Sequence, residues 1–241
     1  MINDGDRMKY GKHPSTDLVR LFMEKPFQGQ DPTRAKVLII GNDANYSPEI
    51  TDHGFFSRIL EYHSDGIRFW KEHEKHHPFL LPNYPFDRRK GGVRYHLNFS
   101  KMQFTSDDAE CFSFVELLKV PTIGNTGSDK SLFFEMLHQH EDHLNWLEGI
   151  VLSGNKKFVI VNQTLAASIN RINKELGVLQ GLCQLCQSLE GKDVSSVVPV
   201  NENLVLYNGY SFAYSVSNAY LRNLGNSISE FLRKNHTPEK D

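Results

Sequence analysis

A carboxylate and two amides follow a run of aliphatic residues in "VLIIGNDANYSP", residues 37–48. Asp43, with Asn42 and Asn45 beside it, has the donors and acceptors to hold a water and take a proton from it, the working parts of general acid–base chemistry. The plainer reading of the same residues is an Asx turn, in which Asp or Asn bonds its own backbone. A second group lies in "FDRRKGGVRYHLNFSK", residues 86–101. There Arg88, Arg89, Lys90, Arg94 and Lys101 stand against one acid, Asp87, with Phe86, Tyr95 and Phe99 interleaved. That mixture suits a phosphate backbone and unstacked bases; the alternative is a solvated loop. His73, His76 and His77, and again His138, His140 and His143, have the spacing to share a helical face. No acid or cysteine at matching spacing completes a metal shell. "CQLC" (183–186) is a single CxxC, and Cys111 is the only other thiol, so a four-cysteine cluster is excluded. Glycine-rich phosphate loops and a G-x-S-x-G elbow are absent, and no cofactor is expected.

These residues need elements to hold them. "AKVLII" (35–40) reads as a buried strand ending at Gly41, and "KFVIV" (157–161) as another. "SSVVPV" (195–200) and "LVLYNGYSFAYSVS" (204–217) are β-rich. Helical patterns occupy 16–24 with Ser15 or Thr16 as cap, 55–62, 67–76, 128–147 with Ser128 as cap, 163–176 closed by Gly177, and 218–234. Residues 78–101, rich in Pro, Gly and Arg, read as a long ordered loop, and 111–120 is ambiguous between strand and helix. Strands alternating with helices predict an α/β fold with a parallel sheet covered on both faces. Such sheets bind ligands at the carboxyl ends of their strands, where Gly41–Tyr46 and Ser215–Asn218 both fall.

The chain has 241 residues, 39% hydrophobic and 23% charged, enough to bury a core without staples. No apolar run reaches membrane-spanning length, and the N-terminus lacks the apolar core of a signal peptide, so no membrane partner is expected. Three cysteines, an odd number, fit a reduced, cytoplasmic setting. A formal net charge of −2 argues against a basic coat for nucleic acid, though a local basic groove stays open.

Taken in order, three stretches resemble the uracil-DNA glycosylase superfamily, closest to its mismatch-specific uracil/thymine branch. "VLIIGNDANYSP" is similar to the family's strand followed by Gly-X-Asn-Pro or Gly-Gln-Asp-Pro. "GIRFWKEH" (66–73), leading to "FSFVELLKVPTIGNTG" (112–127), is similar to that branch's Asn-Arg-Phe-Trp helix start and the segment after it. "AYSVSNAYLRN" (213–223) stands in the place of the late His-Pro-Ser or Asn-Pro-Ser loop. The resemblance spans about residues 36–234. It departs at Ala44, where the family has proline, at Ser215 and Val216, where it has His or Asn and then Pro, and at Glu116, where the branch tends to have Asn.

The resemblance implies a three-layer α/β/α domain with a short, mainly parallel sheet over residues 36–241, preceded by a peripheral segment, 1–35. It implies a monofunctional DNA glycosylase, with DNA as partner, that flips a damaged or mismatched pyrimidine, uracil foremost, and hydrolyses its glycosidic bond. Asp43 and Asn42 would then be catalytic, holding water against the cationic sugar. Asn45, Tyr46, Phe55, Phe56, Glu116, Ser215, Ser217 and Asn218 would bind the substrate, and Arg88, Arg89, Lys90, Arg94 and Lys101 the nucleic acid. Plainer roles stand beside these: core packing for Phe55 and Phe56, and a helix cap for Ser217 or Asn218. The competing function is a protein of this fold that binds a nucleotide or nucleic acid without cleaving it.

Overall fold

The structure, a computed structural model, describes residues 9–87, 92–153 and 155–235. Its elements run β1 (Gly11–Lys12), α1 (Thr16–Glu24), β2 (Phe27–Gly29), β3 (Val37–Gly41), α2 (Phe56–Ser64), α3 (Gly66–His73), α4 (Gly92–Ser100), β4 (Phe112–Glu116), β5 (Thr122–Ile123), α5 (Lys130–His138), α6 (Glu141–Leu152), β6 (Lys157–Asn162), α7 (Gln163–Leu176), α8 (Gln180–Gln187), β7 (Val197–Pro199), β8 (Leu204–Gly209) and α9 (Asn218–Lys234).

Six strands form one sheet in the order β2-β4-β3-β6-β8-β7. The central four are parallel, with Val37 beside both Phe112 and Phe158. Both edges are antiparallel, β2 on β4 and β7 on β8. The sheet is therefore mixed, which corrects the expectation of a mainly parallel one. The edge strands have only three residues each, too few for a periodic signal, and pairing rather than pattern makes them strands. Alternation along the central strands splits the core. Leu38, Ile40, Val159 and Val161 pack with α5, α6, α7 and α8. Val37, Ile39, Phe158 and Ile160 pack with Trp70, Phe99 and the apolar face of α9. Successive side chains point to opposite faces, and each strand is apolar on both because helical residues cover both. A third cluster joins Leu18 and Phe22 of α1 to Tyr46, Ile59, Phe69 and Phe79.

Two local expectations change. The stretch 78–101 is not one loop: a short 3-10 turn at Pro78–Leu80 and helix α4 lie within it. The single helix expected over 128–147 is two, α5 and α6, and Asp129 rather than Ser128 caps the first, accepting from the Leu132 N–H. Ser15, Gly177 and Ser217 cap as expected. Among the described residues no helix is long and apolar enough to cross a membrane.

Candidate active site

From β3 the chain passes to β4 on one side; from β6 it passes to β8 on the other. The carboxyl ends of two neighbouring strands whose connections diverge bound a crevice. A cavity of about 770 Å³ lies there, lined by the strand-end residues Gly41, Glu116 and Asn162 and by Ser211 beyond β8. Small-molecule sites have volumes of roughly 300–1,000 Å³.

Asp43 is held by hydroxyls. Thr126 Oγ1 donates to Oδ1 at 2.7 Å, and Thr122 Oγ1 and Tyr10 Oη donate to Oδ2 at 2.5 and 3.2 Å. The donors arrive by backbone pairing. β1 pairs with β5, which brings Tyr10 and Thr122 together, and Thr122 exchanges backbone bonds with Ala44 and Tyr46. Burial pushes the Asp43 carboxyl up from its ordinary value, and the three hydroxyl donors pull it back down. Burial, then the Asp43 charge, drive Tyr10 up.

Glu116 sits at the end of β4, in register with Gly41. A Cβ at residue 41 would overlap the Glu116 carboxyl, so glycine makes the space in which that carboxyl lies. Among the described residues no donor reaches it, while His143 Nε2 binds the Glu116 backbone carbonyl at 2.8 Å. Burial, then the charge of Asp43, hold the Glu116 carboxyl well above the usual carboxylate range. Both side chains are partly exposed, reaching solvent through the cavity that they line. Asn42 also lines it, and its Oδ1 is buried with no partner among the described residues; a buried acceptor of this kind calls for a donor.

Other expected residues divide. Asn45 lines the cavity but spends its amide on Gly124 O at 2.6 Å and Thr122 Oγ1 at 3.3 Å. Tyr46 lines it from a buried position, its hydroxyl accepting from Gln28 Nε2. Arg94 reaches the wall. Phe55 and Phe56 do not line the cavity; they pack in the third apolar cluster, Phe55 against Tyr84. Ser215, Ser217 and Asn218 are exposed and also lie off the lining, because Ser217 caps α9 by accepting from the Tyr220 N–H. From that loop the wall takes Ser211, Ala213 and Tyr214 instead. Lys101 is exposed and bonds Asn98 Oδ1. Arg88, Arg89 and Lys90 lie outside the described residues.

Sequence reasoning missed Tyr10, Thr122, Thr126, Lys130, His96 and Arg171. The hydroxyls come from segments 33, 79 and 83 residues away from Asp43, a distance no local pattern carries. Lys130 and Arg171 line the cavity from α5 and α7, Arg171 lying 3.8 Å over the Phe134 ring. His96 and His77 form another wall.

The only group of three metal-ligating side chains among the described residues is Glu61, Glu72 and His73. Its acids are already engaged by Arg58, His73 and Arg68. Cys183 and Cys186 are free and buried in the core, and burial raises the Cys186 thiol to about 12. Comparison of the chain with family models, with curated proteins and with solved structures gives no match.

Proposed function

We propose that this chain is a hydrolase of the uracil-DNA glycosylase type, a three-layer α/β/α domain that takes a flipped pyrimidine, uracil foremost, and hydrolyses its N-glycosidic bond. The observation that carries the reading is the pair of carboxyls with unlike surroundings, Asp43 and Glu116, opening on one cavity at the strand ends. Two carboxyls pushed to different protonation states divide acid and base work between them.

Burial raises both carboxyls, and hydroxyl donors offset it at Asp43 alone, so Asp43 takes the role of the ionised member. It orients a water, with Asn42 Oδ1 as a second acceptor, and balances positive charge developing on the sugar. Glu116 is the protonated member. Its hydroxyl donates and its carbonyl accepts, the pattern that meets a carbonyl and a ring N–H on a uracil edge. Arg94, Lys130 and Arg171 supply positive charge around the same cavity for phosphate. The resemblance in residues 36–234 points the same way.

The test uses the full chain with single-stranded U, U·A, G·U and G·T oligonucleotides, followed by alkali. Strand scission at uracil is expected; no scission on any of the four, from folded protein, rejects the activity.

One observation favours the competing reading of binding without cleavage. A carboxylate has about four acceptor positions, and three on Asp43 are taken. Salt-dependent DNA binding with no base release selects that reading.

A further inference from the structure

Helix α4 carries an amide that holds the loop beyond β8. Asn98 is 4% exposed, and its Nδ2 donates to the backbone carbonyls of Phe212 at 2.8 Å and Tyr214 at 2.9 Å. At its other end Asn98 Oδ1 accepts from the Lys101 ammonium at 3.3 Å. The same loop is pinned twice more. The Tyr210 N–H donates to Tyr220 Oη at 2.8 Å, and the buried Phe212 ring meets Tyr95 edge to face. Yet the ring that this fixed backbone carries is left in water. Tyr214 lines the cavity and is 63% exposed, and among the described residues no ring contact or hydrogen bond engages its side chain. Tyr210, 51% exposed, stands at the start of the loop.

On a mobile loop such a ring would be ordinary solvated surface. Here the backbone on both sides of it is held, so a partner meets a ring already in place and little ordering is lost on binding. A flat aromatic face beside an ammonium is the pairing that takes an unstacked base and its phosphate.

We propose that Tyr214 and Lys101, tied together through Asn98, form a subsite at the cavity mouth for the nucleotide next to the one that enters, and that the bound polymer is single-stranded. The base lies on the Tyr214 ring and the phosphate on Lys101. The subsite rests on the nucleic-acid part of the glycosylase reading above. The strand state follows from the ring: in a duplex each base already stacks on its neighbours, and an exposed aromatic face gains only from a base that lies open. Every base has a π-face, so the subsite selects strand state and not sequence. The charge agrees. Duplex affinity leans on many phosphate contacts, which a net charge of −2 does little to favour, whereas one placed ammonium serves one nucleotide. Asn98 touches neither base nor phosphate and is a positioning residue.

The test is titration of the full chain with a labelled single strand carrying 2′-fluoro-2′-deoxyuridine, and with the duplex made from it. The fluorine destabilises positive charge on the sugar, so the bond survives and binding is read alone. Wild type is expected to bind the single strand more tightly than the duplex. Tyr214→Ala is expected to weaken single-strand binding about 10-fold with duplex binding unchanged, and Tyr214→Trp, which keeps a ring, to retain it. Lys101→Gln should lower the slope of log affinity against log salt by about 0.7. Asn98→Ala should weaken single-strand binding in the wild-type background and add nothing in the Tyr214→Ala background, whereas a merely structural loss would persist in both. Unchanged single-strand binding by Tyr214→Ala, or duplex bound as tightly as single strand by wild type, overturns the proposal. Tyr214 is exposed, so its variants decide even if Asn98→Ala does not fold. Uracil release by wild type with unaltered binding by Tyr214→Ala removes the subsite and leaves the glycosylase reading standing. Ring-dependent single-strand binding with no base release from a plain deoxyuridine strand does the reverse.

Discussion

The Asp43 pocket and the histidine cluster face one cavity and answer burial in opposite ways. Around Asp43, three hydroxyls converge on a carboxylate whose pKa burial pushes up. Around His96, rings stack on rings: His77 lies on His96, His76 touches it edge to edge through a single hydrogen bond, and His63 packs against Tyr62 and Phe22. Burial raises Asp43 and Glu116 and lowers His63, His76, His77 and His96. Both trends favour neutral groups, because a low-dielectric site penalises charge of either sign. At Asp43 three hydroxyl donors offset part of that penalty; at Glu116 and the histidines no hydroxyl donor does so among the described residues.

The largest expected effect comes from acid. His63 and His96 are lowered to about 3, against an unfolded value of 6.5. Stability from their neutral state is fully present above 6.5 and is lost as pH falls toward 3. The pair should cost about 3 kcal/mol per pH unit within that window. Glu116 works in the opposite sense: its raised native value costs stability progressively as pH rises above the unfolded 4.5, and the cost disappears as pH falls back to it. Urea midpoints at pH 7, 6 and 5 measure the balance; a flat profile in a Glu116→Gln background would break the contrast on its histidine side.

Next is Gly41→Ala. The new Cβ collides with the Glu116 carboxyl, at about 1–3 kcal/mol. Denaturant unfolding should show the loss, and adding Glu116→Ala should restore most of it; no rescue would mean that the glycine serves something other than that carboxyl. Tyr10→Phe removes one of three donors to Asp43, at about 1.5 kcal/mol. The acid limb of the pH–rate profile should then move to higher pH, and an unmoved limb would detach Tyr10 from Asp43. Ser217→Ala is the smallest: loss of the α9 cap costs about 1 kcal/mol in thermal unfolding, with base release unchanged. A weakened substrate affinity instead would return Ser217 to the site.

What was legible in the sequence follows the same division. The Asp43 side begins with β3, an uninterrupted aliphatic run ended by Gly41, and such a run announces a buried strand and its polar terminus. Helices α7 and α9 announced themselves through periodicity and caps. The histidine side was hidden because α4 lies in a stretch whose Pro, Gly and Arg content reads as loop. Only the burial of Val93, His96 and Phe99 makes it a helix face. The three hydroxyls on Asp43 were invisible for another reason: they depend on β1 pairing with β5, two residues on each strand, which tertiary contact creates and local propensity does not. In the late loop, the motif resemblance pointed to Ser215–Asn218. The start of α9 took Ser217 as its cap and left Ser211, Ala213 and Tyr214 to form the wall.

The central claim is that Asp43 is the working carboxylate of a glycosidic hydrolysis. Its most direct test is single-turnover release of uracil from a U-containing oligonucleotide at pH 7, by wild type and Asp43→Asn side by side, both verified as folded. Wild type is expected to release uracil and the variant to do so at a rate at least about 100-fold lower; equal rates in the two would remove Asp43 from the reaction.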